Sequence, residues 1–340
     1  MKKHYIGVDV GGTKIQANLV ADDGAVLANN RQDTPRGGES EVSVNAIEES
    51  IRTLLYENNL TIKDIGGIGI AVPGLVVPET GYVVVTPNMN LSGVELGKIL
   101  KKRLGISVAV GNDCNLGTLG EFRYGSGRGA KSVVGIFVGT GIGSGIVIDG
   151  KVIGGAACSA GEIGHIVARI PVKNWTKFLN NDKVDLSEML TKKAPKCGCG
   201  NRGCFEALAS RTAIERMIRE GLASGVKSVI KDIDNDTVIK SGALLRALKA
   251  NDALVTAVMR YASYVIGCGC LTVRHLLDPE VIVLGGGVIE ACHKFMLPLI
   301  DEVVQSDQLA SAKSNRRITV AELGDNAVAV GAAALRLIED

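Results

Sequence analysis

Apolar runs in the first half of the chain are short and end in glycine. Tyr5 to Val10 meets Gly11-Gly12-Thr13; a second run, Ile15 to Val20, follows and reaches a turn at Asp23-Gly24. The order returns further on. Val133 to Val138 meets Gly139-Thr140-Gly141, then come Gly145 to Ile148 and a turn at Asp149-Gly150. Asp-Gly between β-branched runs predicts hairpins. The echo is either a coincidence of two glycine-rich hairpins or a duplicated unit with one phosphate loop in each of two facing domains.

Other segments carry a helical period. Glu41 to Asn58 places Val44, Ile47, Ile51, Leu54 and Leu55 on one face, and Leu96 to Leu104 is a second helix. Gly67 to Val72 is a strand running into Pro73-Gly74, and Val108 to Val110 is a short strand ending at Gly111-Asn112-Asp113. Beyond Cys204 the pattern turns helical: Ala207 to Glu220, Ala243 to Ala250 and Ala253 to Leu277 contain few breakers. Val281 to Leu284 is a buried strand entering Gly285-Gly286-Gly287, and Asn326 to Ile338 is a closing helix. Strands first, then helices alternating with strands, predict an α/β architecture.

Composition narrows the class. Glycine supplies 43 of 340 residues, nearly twice the ordinary share of about 7%. With 8 prolines, no collagen period and 46% hydrophobic residues, the chain is neither fibrous nor disordered. A net charge of +2 and short basic clusters without aromatics predict no nucleic-acid partner. Val133 to Ile148, read as the longest apolar stretch, is broken by glycines and too short to span a bilayer, and MKKHYIGVDV has no signal-peptide pattern. A cytoplasmic protein with no membrane partner is expected, in which 8 cysteines serve as metal ligands or free thiols.

The candidate chemistry clusters at the glycines. In Asp9-Val10-Gly11-Gly12-Thr13-Lys14, residues without Cβ let backbone N–H groups approach phosphate, and Thr13 and Lys14 add donors. Asp9, at the end of a buried strand, is costly alone and reasonable beside a hydrated Mg²⁺. A strand rather than a helix follows, so neither a Walker loop nor a dinucleotide fingerprint fits. Gly139, Thr140 and Gly141 repeat the context, and Gly285, Gly286 and Gly287 suit close approach of an adenosine or a plain strand-to-helix turn. Asn112 and Asp113 stand at a strand end, either as a substrate-orienting amide and a proton acceptor or as the cap of the following helix.

Cys197-Gly198-Cys199-Gly200-Asn201-Arg202-Gly203-Cys204 offers three thiolates on a glycine-rich knuckle, three ligands of a tetrahedral zinc. The best fourth ligand is His165, in Gly161-Glu162-Ile163-Gly164-His165; His4 and His275 lie in apolar contexts and read as packing residues. Cys114, Cys158, Cys268, Cys270 and Cys292 read as buried and inert.

Together these motifs resemble the ROK family of repressors, uncharacterised proteins and sugar kinases, over essentially the whole chain. The markers include Asp9 to Lys14, Ala71-Val-Pro-Gly74, Thr86-Pro-Asn88, Gly111-Asn-Asp113, Gly139 to Gly145, Gly161 to His165 and Cys197 to Glu206. Ala209-Ser-Arg-Thr-Ala-Ile214 and the Thr-Pro-Asn segment look most like the glucokinase branch. The resemblance implies a two-domain actin-like (ribonuclease H-like) ATPase fold with an interdomain active-site cleft. Domain one would be 1–116 plus 323–340, and domain two 117–322.

The implied activity is transfer of the γ-phosphoryl of ATP to the 6-hydroxyl of a hexose, most simply glucose. By that resemblance Asp113 is the general base, and Asn112, Glu162, His165 and Glu206 bind sugar hydroxyls, with Gly74 and Asn88 lining the pocket. The glycine loops hold ATP, Asp9 organises Mg²⁺ through water, and His165, Cys197, Cys199 and Cys204 hold a structural Zn²⁺. A homo-oligomer, dimer or tetramer, is expected. One departure is an insert of about Pro171 to Lys196, which contains Trp175 and a capping-box start at Asp185 to Glu188. It emerges beside Glu162 and His165, so an N-acetylmannosamine or N-acetylglucosamine kinase is the alternative. A sugar-responsive repressor would need a helix-turn-helix ahead of Asp9, where there is no room, and a non-catalytic regulator would not need Asp9, Asp113 and both loops.

Overall fold

The computed structural model describes residues 4–35, 37–87, 89–168, 194–230, 238–307, 309 and 316–338. Strands β1 (His4–Val10), β2 (Lys14–Ala21) and β3 (Val26–Asp33) form an antiparallel meander. Helix α1 (Ser40–Glu57) leads into β4 (Ile65–Val72), which lies parallel to β1. A small hairpin, β5 (Leu75–Val77) and β6 (Tyr82–Val85), and helix α2 (Leu96–Leu104) precede β7 (Val108–Asn112), the last parallel strand. The sheet order is β3-β2-β1-β4-β7. Central strands β1 and β4 are covered on both faces, which is why they read as continuous apolar runs rather than alternating ones.

After α3 (Asp113–Tyr124) the plan repeats. Strands β8 (Ser132–Val138), β9 (Ile142–Ile148) and β10 (Lys151–Val152) form a second meander. β11 (Val281–Gly285) and β12 (Arg317–Val320) extend it in parallel, in the order β10-β9-β8-β11-β12. The strand order and directions match those of the first sheet. The echoed hairpins are therefore the openings of two sheets built alike.

Helices α4 (Phe205–Ala209), α5 (Arg211–Ala223), α6 (Ser241–Lys249), α7 (Ala253–Leu277) and α8 (Gly287–Gln305) contribute to the core of the second sheet. The sequence predicts one helix over Ala207 to Glu220; the structure breaks it at Ser210. That residue is extended (φ −68°, ψ 167°), and its hydroxyl accepts from Ala213 N at 3.2 Å to cap α5. α7 also corrects the reading of Val133 to Ile148 as the longest apolar segment. By length and composition α7 is long and apolar enough to cross a membrane, and 56% of its most apolar window is buried inside the protein.

The closing helix α9 (Ala327–Ile338) returns to the first sheet and packs on α3 as well. Its approach is that of bare backbone: a Cβ on Gly331 would lie 1.7 Å from the Leu116 carbonyl oxygen, and one on Gly7 1.7 Å from that of Ala329. Ala71 of the first sheet, Val147 of the second, Leu116 and Ala332 share one small apolar cluster, so α3 and α9 form the layer between the sheets.

Fully buried Glu121 fixes this layer. Its carboxylate accepts from Ser126 N (2.9 Å), Glu322 N (3.0 Å) and Leu323 N (2.8 Å). It thereby ties the end of α3 to the segment leading into α9. Glu121→Ala strands three backbone donors, each worth about 1–3 kcal/mol. A loss of at least about 3 kcal/mol is expected, read as a lower urea midpoint at unchanged slope.

Candidate functional site

A cleft of about 670 Å³ gathers residues from both halves. It is lined by Gly74, Asn112, Asp113, Glu162, His165 and Glu206, by the loop Gly139-Thr140-Gly141, and by Gly286. Asp9, Gly11, Gly12, Thr13, Lys14, Gly285 and Gly287 do not line it. Asn88 lies outside the described residues, as do residues 171–193 of the insert.

The register explains why one acid lies near another. Asp9 pairs with Ala71, and Ala71 with Gly111, so Asp9 and Asp113 stand at the carboxyl ends of the parallel strands β1 and β7, with β4 between them. Burial, then the Asp113 charge, push the Asp9 carboxyl up to about 7, against the pull of Arg31. Burial also raises Asp113 above the usual carboxylate range, with Glu162 adding to it, while a bond from Cys114 N to Oδ1 (2.8 Å) opposes the rise.

Asn112 is the N-cap of α3, its Oδ1 accepting from Asn115 N at 3.0 Å. Its Nδ2 donates to the Gly74 carbonyl at 3.0 Å, which fixes the Pro73-Gly74 turn on the cleft wall. An amide has four bonding positions, so one N–H and one lone pair remain for a ligand. Gly74 itself has φ +99°, a backbone state that a side chain disfavours.

The first glycine loop is held from behind. Gly11 N donates to Lys14 O at 2.8 Å, and Thr34 Oγ1 to Gly11 O at 2.6 Å, while Gly12, Thr13 and Lys14 are exposed. The second loop has a brace that sequence reasoning passed over. Because the helix breaks at Ser210, Arg211 N reaches Gly139 O (2.9 Å), Arg211 Nη2 reaches Thr140 Oγ1 (2.7 Å), and Thr212 Oγ1 reaches Thr140 O (2.8 Å). The signal was present: a serine cap inside a helical pattern, followed by Arg-Thr.

At the other wall, Ile163 is buried and anchors the turn that carries Glu162 and His165. Ser144 Oγ donates to the Gly161 carbonyl and sews this turn to β9. Phe205, fully buried, packs its ring on Gly269 of α7. The next residue, Glu206, takes Ile142 N on Oε2 at 3.0 Å and the Cys197 thiol on Oε1 at 3.6 Å.

His165, Cys197, Cys199 and Cys204 bring four donor atoms within 4.8 Å of one another. Cys197 Sγ to His165 Nδ1 is 3.6 Å, and Cys199 Sγ to Cys204 Sγ is 3.7 Å. A zinc tetrahedron with ordinary bond lengths has S–N and S–S edges of about 3.6 and about 3.8 Å, so the donors fit that ion. They do not fit a disulfide, whose sulfurs stand about 2.05 Å apart. Burial and the neighbouring Cys199 and Cys197 push the Cys204 thiol up to about 12, so three thiolates require a cation to coexist. With Nδ1 toward the thiols, His165 Nε2 lies 4.0 Å from Glu162 Oε2, so each ring nitrogen faces a different task.

The insert leaves and re-enters at one point. Ala168 N donates to Gly203 O, and Gly203 N to Pro195 O, both at 2.9 Å. Two other expectations need correction. His275 is not a packing residue: its Nε2 contacts Asp307 Oδ2 at 2.8 Å on a side chain 42% exposed. Of the scattered cysteines only Cys270 and Cys292 are buried, and burial pushes their thiols up to about 12 and about 11. Cys114, Cys158 and Cys268 are half-buried, and Cys114 lines the cleft beside Asp113.

Comparisons with known proteins agree with this architecture. A glucokinase of Halalkalibacterium halodurans is 30% identical over 96% of this chain and 93% of its own. A xylose repressor of Caldicellulosiruptor bescii is 28% identical over 97% of this chain, which spans 77% of the repressor. A crystal structure of a ROK family glucokinase from Streptomyces griseus, in complex with glucose and AMPPNP, superposes with a TM-score of 0.75, at 28% identity, covering 98% of both chains. Its fold is the two-domain actin-like ATPase fold that the paired sheets repeat here. The ROK family model matches residues 5–338, and the chain belongs to the ROK family.

Proposed function

We propose that the protein is an ATP-dependent hexose kinase that phosphorylates the 6-hydroxyl, with glucose as the expected acceptor. The observation that carries this reading is the cleft itself. It gathers one carboxyl of raised pKa, Asp113, with a braced glycine loop and with Glu162, His165 and Glu206. The glucokinase relatives support the sugar, and the repressor at similar identity makes a non-catalytic sugar sensor the reading to be excluded. The domains are proposed as 1–116 with 323–340, and 117–322.

Phosphoryl transfer passes through a loose transition state, so positioning and charge neutralisation carry most of the catalysis. Asp113 Oδ1 is bonded to the Cys114 N–H, which leaves Oδ2 to take the proton of the attacking hydroxyl. Glu162, Glu206 and His165 Nε2 orient hydroxyls on the opposite side. The exposed backbone of Gly12 and Thr13, together with Gly139, Thr140 and Gly141, suits phosphate oxygens. Mg²⁺, when bound, supplies charge neutralisation at the phosphates. Asp9 fits it, because a cation would hold as carboxylate a group that its surroundings push up to about 7. Zn²⁺, held by His165, Cys197, Cys199 and Cys204, would supply structure and no chemistry.

Thr212→Val removes one bond to the second loop, worth about 1 kcal/mol. The expected result in initial-rate kinetics is an ATP KM raised about fivefold with the sugar KM within about twofold. ADP release over glucose, mannose, N-acetylglucosamine, N-acetylmannosamine, fructose and allose tests the proposal as a whole. Turnover greatest with glucose supports it. Preference for an N-acetylated sugar moves the assignment to that kinase, and sugar binding without ADP release replaces it with the sensor.

A further inference from the structure

A second cavity, of about 430 Å³, opens between α7, α8 and β12 and shares no lining residue with the cleft. Three guanidinium groups reach its wall. Arg316 Nη2 is bound to Asp278 Oδ2 at 2.6 Å, and Arg317 Nη2 donates to Ser126 O at 3.1 Å. Arg274 differs from both. It is 8% exposed, and among the described residues its guanidinium has no hydrogen-bond or ion-pair partner. Arginine cannot shed its proton, so this largely buried side chain, its guanidinium open to the cavity and bound to no protein group, is a ready partner for an anion.

The rest of the wall argues against a bare anion. Asp301 and Gln305 stand beside the arginines, joined to each other at 3.3 Å, and offer acceptors and donors suited to hydroxyl groups. Leu297 and Ile318 give an apolar surface for the carbon face of a ring. The volume exceeds what an inorganic phosphate fills, and Asp301 would repel an anion that offered it no hydroxyl.

We propose that this cavity binds a sugar phosphate at a site separate from the cleft. Arg274 and Arg317 take the phosphate, and Asp301 and Gln305 take hydroxyls. A guanidinium fork matches phosphate oxygens two at a time. The ligand class is read from the cavity wall and does not rest on the kinase assignment.

Equilibrium dialysis of the full chain tests this, with glucose 6-phosphate and inorganic phosphate as probes. Saturating glucose and a non-hydrolysable ATP analogue are present to occupy the cleft. The expected result is one glucose 6-phosphate per chain, bound at least tenfold more tightly than inorganic phosphate. Arg274→Met is expected to weaken it at least tenfold and Arg317→Gln several-fold. Ligand-free Arg274→Met is expected to melt no lower than the parent, since the substitution breaks no hydrogen bond or ion pair and keeps the apolar stem. Equal binding by parent and Arg274→Met, or no binding by the parent, overturns the site. A ligand-free Arg274→Met that melts lower makes the arginine structural and overturns it too. Inorganic phosphate bound as tightly as the sugar phosphate overturns the ligand class. If the kinase reading alone fails, the cleft additives become irrelevant and the loss in Arg274→Met persists.

Discussion

Asp113→Asn is expected to reduce sugar phosphorylation by about 10²–10⁴-fold while sugar affinity stays within about threefold. The amide keeps the shape, and through its carbonyl the bond from Cys114 N, but it cannot take the hydroxyl proton. Single-turnover rates and a sugar-binding isotherm separate the two effects. The sign of the stability change is also fixed. A carboxyl raised by burial binds its proton more tightly in the folded than in the unfolded chain. Folding stability therefore falls as pH rises through the folded pKa, and the asparagine variant escapes that loss. Asp113→Asn is expected to melt at or above the parent temperature at neutral pH. Activity of the parent is expected to decline toward acid from a pH above the ordinary carboxylate range. A variant that turns over at the parent rate would remove Asp113 from the reaction.

Cys204→Ser is expected to remove about one zinc per chain and to lower sugar kcat/KM by about tenfold or more, with the ATP KM little changed. The reason is position. Cys204 precedes Phe205 and Glu206 directly, and His165 shares its turn with Glu162, so the proposed ligands would hold both acids assigned to the sugar. Metal analysis, melting temperature and the two KM values together check this. The Tm is expected to fall, because the three remaining donors then lack the cation that ties them together. A zinc-free parent with full activity and an unchanged melting curve would contradict it.

Much of this was legible in residue order because glycine, proline and paired thiols constrain backbone locally. The hairpin pairs could be read from Asp-Gly turns, and the Cys-His cluster in part from the cysteine spacing. Legibility failed where tertiary bonds outweighed local pattern. Ala207 to Glu220 reads as one helix because Ser210 is tolerable inside one. Only the carbonyls of Gly139 and Thr140, brought alongside by the second sheet, show what the break accomplishes. Nothing in the local sequence marks Glu121 as buried; it is fully buried because backbone donors from the end of its own helix and from the distant Glu322-Leu323 segment converge on it. His275 was misassigned because apolar neighbours in sequence say nothing of Asp307, which packing sets beside it. The pairing of Asn112 with Gly74 was equally invisible, since it depends on β4 and β7 being neighbours.

The most direct test is product identity. The protein is incubated with glucose, ATP and magnesium, and the products are followed by phosphorus NMR. The account predicts a phosphomonoester resonance at carbon 6 of the sugar, growing one-for-one with ADP and vanishing in Asp113→Asn. ADP matched instead by inorganic phosphate, or no ADP while glucose remains bound, would contradict it.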